Sequence, residues 1–270
     1  MTPPCILCYH KVDRRAELGV TRLSPARFAR QIERLARAGY TTLTLGALRA
    51  CLTGVRRGAP HEIAITFDDG YRALRDHAFP VLAAHGFTAI CFVVTDYAGK
   101  LNRWDVAYGG RRFAHLAWRD MRQWQPRGIE FASHTATHPR LTWLTESEVS
   151  REMAQSRADL RAALDTDLRA LSWPFGAHAQ REHAIAQREG YDLAFTIGRA
   201  HSWTGDLFAV PRHPVYMWSP PIPGIGALAP LDSLAGRVAN RCAVGTSIIQ
   251  RCGGTHPSWR SAFDEASPVT

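Results

Sequence analysis

The stretch that decides the fold is Ile63-Ala64-Ile65-Thr66-Phe67-Asp68-Asp69-Gly70. Five apolar or strand-forming residues run into two carboxylates and stop at a glycine, which reads as a short buried strand ending in a turn. Two adjacent acids at the end of such a strand are costly, because like charges repel and burial disfavours both. A bound cation is the simplest remedy. Successive strand residues point in opposite directions, so at the strand end one carboxylate can hold a metal while the other stays free to move a proton.

Outward from this stretch, strand and helix patterns alternate. The pattern predicts strands over Ile6–Tyr9, Thr88–Val94, Ile129–Ser133, Leu168–Trp173 and Asp192–Ile197. It predicts helices from Pro25 to Gly39 with Ser24 as N-cap, Leu45–Leu52, Tyr71–His85, Trp118–Trp124, Glu146–Leu164 and Gln180–Glu189. Thr145 and Glu148 form a capping-box pattern before the long helix. Repeated strand–helix units argue for an α/β fold of parallel strands, as an open sheet or a barrel. After Pro211, proline and glycine crowd the chain, and the residues from there on read as an irregular tail with a helix within Leu228–Ile249.

Basic residues outnumber acidic ones by 33 to 24 and the net charge is +9, yet Lys11 and Lys100 are the only lysines. The excess reads either as compositional bias or as attraction to an anionic glycan, lipid phosphate or membrane surface. No basic run is interleaved with aromatics, so a nucleic-acid partner is not expected. The six cysteines are dispersed, unlike a disulfide scaffold. Cys5 and Cys8 lie three apart on a predicted strand, face opposite sides and read as core residues rather than a zinc pair. The N-terminal residues do not read as a signal peptide and no apolar run is long enough to span a bilayer, so the expected location is the cytoplasm.

A second chemical signal is Ser133-His134-Thr135-Ala136-Thr137-His138-Pro139, a histidine pair at another strand end. Pro139 disfavours helical geometry at His138, so a loop must bring the rings together. Imidazole suits zinc, cobalt, nickel and iron, and one carboxylate with two imidazoles leaves positions open for water. A third segment, Ser172-Trp173-Pro174-Phe175-Gly176, makes a stiff turn after a strand and can line a groove or present a backbone N–H to an oxyanion.

In this order the three segments resemble the motifs of the polysaccharide deacetylases, the NodB homology domain of carbohydrate esterase family four. Leu7-Cys8-Tyr9-His10-Lys11-Val12, Asn102-Arg103-Trp104-Asp105 and Pro211-Arg212 are similar to the branch holding poly-N-acetylglucosamine and exopolysaccharide-locus deacetylases. The resemblance covers roughly Cys5 to Val215 and implies a distorted (β/α) barrel with fewer than eight regular units. It implies a domain over residues 1–216 and a Pro/Gly-rich extension over 217–270. It further implies that Asp69, His134 and His138 hold a divalent metal, zinc first with cobalt or nickel as alternatives. Asp68 is then the general base, and Phe175, with Trp173 and Pro174 beside it, forms the substrate and oxyanion side. The implied reaction is hydrolytic removal of acetyl groups from N-acetylated amino sugars in a polysaccharide or lipid-linked glycan. The implied setting is peripheral to a membrane polysaccharide-synthesis machinery.

The chain departs from the family pattern twice. Ser172 stands where the commoner form has the arginine that pairs with the base, which makes Arg212 the candidate replacement. No clear copy of the late leucine-x-histidine motif that supplies the acid is present. His10 and His213 are the candidates for that role, while His256 lies in the tail. These departures leave open a non-catalytic glycan-binding relative, and the resemblance also leaves open an amidase on a small non-sugar amide, as some members of this fold are.

Overall fold

The computed structural model describes residues 4–15, 21–103, 112–197 and 203–217. The chain opens with β1 (Cys5–Tyr9), then the short paired strands β2 (Lys11–Val12) and β3 (Arg22–Leu23). Next come α1 (Pro25–Arg37), β4 (Thr41–Thr42), α2 (Leu45–Leu52) and β5 (Glu62–Phe67). They are followed by α3 (Ala73–His77), α4 (Phe79–Ala84), β6 (Ala89–Val93), α5 (Trp118–Trp124) and β7 (Ile129–Ser133). The chain continues through α6 (Glu146–Leu164), β8 (Ala170–Ser172), α7 (Gln180–Arg188), β9 (Leu193–Ile197) and β10 (Val210–Pro214).

Neighbouring strands run β5-β6-β7-β8-β9-β10-β1, and β1 pairs again with β5. Seven parallel strands therefore close a barrel, with β4 added outside on β5. This is the distorted (β/α) barrel that the family resemblance implied.

The period of two sorts each strand into an inner and an outer face. Ile6, Ala64, Ile90, Phe92, Ala132, Ala170, Leu193, Phe195 and Val210 form one cluster, the barrel interior. Leu43, Leu45, Leu48, Cys51 and Leu52 belong to the same cluster, so α2 and its lead-in close one mouth. Glu130, at the start of β7, accepts the Leu45 N–H there at 2.6 Å. The alternate residues Leu7, Tyr9, Ile63, Ile65, Phe67, Cys91, Val93, Ile129 and Phe131 pack outward beneath the helices.

Caps follow the sequence signals. Ser24 accepts from the Arg27 N–H at the start of α1, and Thr145 with Glu148 forms the reciprocal box on α6.

Two expectations need correction. The helix predicted over Tyr71–His85 is two helices broken at Ala78. Pro80 has no N–H to continue the ladder, so the helix restarts with Pro80 in its first turn. The supposed irregular tail begins too early, because Val210–Pro214 is the closing barrel strand β10, seated between β9 and β1. Closure overrides the weak strand propensity of its two prolines. The helix expected within Leu228–Ile249 lies outside the described residues.

Candidate active site

The site lies at the ends of β1, β5, β7, β8 and β10. Continuing the inward register of β5 places Asp68 just above Thr66 inside the barrel, and its N–H bonds the Tyr9 carbonyl at 2.9 Å. The next residue leaves the strand: Asp69 has φ 69° and Gly70 φ 68°. A Cβ on Gly70 would lie 2.7 Å from Val93 Cγ1, so the turn needs glycine for space as well as for φ. The opposing loop clamps the same turn. Leu116 N–H bonds the Gly70 carbonyl at 2.8 Å, and His115 Nδ1 donates to the Asp69 carbonyl at 2.7 Å.

His134 follows β7 and His138 closes the next turn, with φ 64°. Helix α6 holds this loop. Buried Glu152 accepts from the Thr137 N–H at 2.8 Å and from its hydroxyl at 2.5 Å. Ser156 bonds Ser133 at 2.8 Å, and Ser133 in turn accepts from the Thr135 N–H at 3.1 Å. Asp69, Thr135, His138 and Phe175 all carry positive φ, a cluster of backbone strain around one centre.

Asp69, His134 and His138 converge. Asp69 Oδ1 lies 3.5 Å from His134 Nε2 and 3.6 Å from His138 Nε2, and the two nitrogens are 3.1 Å apart. His134 Nδ1 donates to the Ser172 carbonyl at 2.8 Å, which leaves its Nε2 as a lone-pair donor facing the centre. Four ligands at about 2.0–2.2 Å in a tetrahedron stand about 3.3–3.6 Å apart, so the three donor atoms fit a small divalent cation. The three side chains are buried and form a candidate metal-binding group. Burial works against the Asp69 charge, but the His134 hydrogen bond and the nearby His10 and His138 outweigh it and bring its pKa down to about 2.

Beside this group Asp68 forms an ion pair with Arg212. Both are closed off from solvent, at 2% and 0% exposure. Arg212 Nη1 meets Oδ1 and Nη2 meets Oδ2, each at 2.7 Å. Ser172 bridges the pair, accepting from Arg212 Nη2 at 2.8 Å and donating to Asp68 Oδ2 at 3.1 Å. Thr66 accepts from Nη1 at 3.2 Å, and Cys8 Sγ stands 3.6 Å from Oδ2. The guanidinium also lies over Phe92 and Phe195. Burial penalises the Asp68 charge, yet Arg212, with His134 nearby, outweighs it and holds the carboxyl well below the usual carboxylate range.

His10 is brought into this site, with a ring nitrogen within 4.8 Å of Cys8 and Asp68 donor atoms. His213 follows the inward-facing Arg212 on β10, so strand alternation turns its side chain to the outer face. Phe175, with φ 59°, sets its ring against His138 at 4.7 Å between centroids. Trp173 is placed otherwise. Its indole is 1% exposed, donates to the Phe208 carbonyl and stacks on His178 and His183, so it supports the turn from behind rather than facing a groove. Cys8, Thr66, His115 and Glu152 complete the surroundings. Of these, the period-two register of β1 and β5 could have found Cys8 and Thr66.

A parallel barrel with a buried carboxylate and two imidazoles at its strand ends, beside an arginine-paired aspartate, places a candidate active centre where barrels of this kind carry theirs. Comparison with known proteins names the family. Residues 56–194, just over half of the chain, match the family model described as polysaccharide deacetylase, and the chain belongs to that family. YxkH of Bacillus subtilis, named as a polysaccharide deacetylase, is 28% identical over 191 residues, 71% of this chain and 63% of that protein. The poly-beta-1,6-N-acetyl-D-glucosamine N-deacetylase of Escherichia coli K12 is 21% identical over 238 residues, 76% of this chain and 35% of that protein. The chain thus spans less than two thirds of the length of these relatives. Among solved structures, the Streptococcus pyogenes deacetylase PplD, in complex with acetate, shares the fold with a TM-score of 0.70 at 22% identity. That match covers 81% of this chain and 94% of PplD. Among the described residues no helix is long and apolar enough to cross a membrane.

Proposed function

We propose that this chain is a metal-dependent N-deacetylase of N-acetylated amino sugars within a glycan, releasing acetate and a free amine. The observation that carries the reading is the buried Asp68–Arg212 pair set directly beside the Asp69, His134 and His138 donors. In this reading those three residues hold a divalent cation, zinc first by its preference for imidazole and carboxylate ligands. Such a cation supplies Lewis acidity toward a water and the amide carbonyl.

The chain's own groups do the rest. Asp68 is the general base, and its two oxygens are not equivalent. Oδ2 accepts from Arg212, Ser172 and Cys8, whereas among the described residues Oδ1 accepts only from Arg212. Each carboxylate oxygen has two acceptor positions, so Oδ1 is the atom left to take the proton from an attacking water. The Arg212 fork fixes the carboxylate plane and keeps Asp68 ionised, the form a base must have. The Phe175 N–H is the oxyanion donor: the turn's own bonds run from Gly176 N and Ala177 N, and the positive φ of Phe175 sets its orientation. His10 delivers the proton to the leaving amine.

The name of the Escherichia coli relative supports a glucosamine-type polymer as the substrate. Residues 1–216 form the catalytic unit, and 217–270 an extension to it. The test is acetate release from N-acetylglucosamine oligomers by protein loaded with zinc or cobalt. Asp68→Asn should retain metal and lose turnover, and full activity in that variant would remove Asp68 from the mechanism.

A further inference from the structure

The loop after His138 carries two features that the reaction centre does not use. Trp143 is 36% exposed and is the one aromatic among the exposed large hydrophobic residues described. It lies five residues beyond His138 and two before the N-cap of α6, hence on the barrel face where the strands end and the site sits. Arg140 lies over the Trp143 ring, 5.1 Å from its centroid. It is part-buried, and its Nε is shielded from solvent with no hydrogen-bond partner. Among the described residues that cation-π contact is the only interaction of its side chain, and no carboxylate pairs with it, unlike the ion-paired Arg157, Arg181 and Arg188.

An exposed indole with an unpaired guanidinium held against it matches the chemistry of a pyranose. A sugar ring offers an apolar C–H face to an aromatic and equatorial hydroxyl or amide oxygens to fixed N–H donors. The anchor is rigid. Leu141 and Leu144, flanking the segment, are buried in one cluster with Trp173, and Arg181 at the start of α7 reaches the Leu141 carbonyl at 3.3 Å. The same hydrophobic cluster thus supports the Phe175 turn and the Arg140–Trp143 segment, which keeps the two in fixed relation.

We propose that Arg140 and Trp143 form a glycan subsite that binds a sugar unit neighbouring the one deacetylated, so that the enzyme acts on a chain of sugars rather than on a single residue. The inference rests on the deacetylase reading for its substrate class, but its test separates from that reading.

The first measurement is kcat/KM for acetate release from β-1,6-linked N-acetylglucosamine of one to five units. Wild type should gain with length. Trp143→Ala should cut the pentamer-to-monomer ratio by about tenfold, chiefly through KM, with Trp143→Phe restoring most of it. Arg140→Gln should lower the ratio in the same sense. A residue that only packs the loop would lower the melting temperature and leave the ratio alone, and an unchanged ratio overturns the proposal. The second measurement is pentamer affinity by calorimetry in an Asp68→Asn background. Weaker binding on adding Trp143→Ala supports the subsite even if the wild type releases no acetate, in which case the deacetylase reading alone fails. Equal binding with and without Trp143, or none by either, overturns the subsite.

Discussion

Arg212 on β10 and Asp68 at the end of β5 meet across the intervening strand β1 through two parallel N–H···O bonds of 2.7 Å. The pair is fully desolvated, so each partner depends on the other. Removing one leaves an uncompensated buried charge, and such losses cost about 3–5 kcal/mol. Arg212→Ala should therefore unfold at markedly lower denaturant. Arg212→Lys keeps the charge but not the fork and cannot hold both oxygens and Ser172 together. It should fold and lose about 10²-fold in kcat through misplacement of the carboxylate. Urea titration and steady-state kinetics on both variants check this; a fully active lysine variant would rule out orientation as the role of Arg212.

The metal group makes its own prediction. Three buried donors facing one another gain stability from any cation that binds the folded chain alone, about 4 kcal/mol at a thousandfold excess over Kd. Chelation should lower the melting temperature and abolish acetate release, and zinc or cobalt should restore both. His134→Ala should remove the thermal shift on metal addition. A shift that persists in that variant would move the metal elsewhere.

How much of this was legible beforehand depends on the residue. The strands carrying Asp68 and His134 were readable because short apolar runs break cleanly at Gly70 and Pro139. The α6 boundaries were readable because Thr145 and Glu148 are a local signal that tertiary packing did not override. Strand β10 was not, since Val-Pro-Arg-His-Pro contradicts strand propensity and is stabilised only by closure between β9 and β1. The burial of Trp173 behind the turn was equally hidden, because its partners Phe208 and His183 are distant in sequence. The bridging role of Ser172 could not be read from a residue whose significance was the arginine it lacks.

Gly70 tests the strain argument. Alanine there must adopt φ 68° and place Cβ 2.7 Å from Val93 Cγ1. Left-handed backbone on a non-glycine residue costs about 1–3 kcal/mol, and the clash adds to it. Gly70→Ala should lower stability and, by shifting Asp69, weaken metal binding. Val93→Ala in the same chain removes the clashing carbon and should recover part of the metal affinity but not the dihedral cost. Calorimetric melting with zinc titration on the single and double variants distinguishes the two contributions.

Glu152 links helix α6 to the histidine loop and carries a pH signature. Burial raises its pKa, and the two Thr137 donors only partly offset that. With the folded value above the unfolded one, the folded chain holds the proton longer. Below about pH 4.3 both states are protonated and nothing changes. As pH rises beyond that, the unfolded chain ionises first, so stability falls until the folded carboxyl has also ionised, and the cost then stays constant. Glu152→Gln should flatten this part of the stability–pH curve. Glu152→Ala should release Thr137 from its hydrogen bonds and loosen His138, with a loss of about 10–100-fold in metal affinity of the kind seen when a ligand's support is removed. Urea unfolding across pH 4 to 7 and competitive zinc titration provide the readouts. Unchanged zinc affinity in the alanine variant would show that the loop holds His138 without α6.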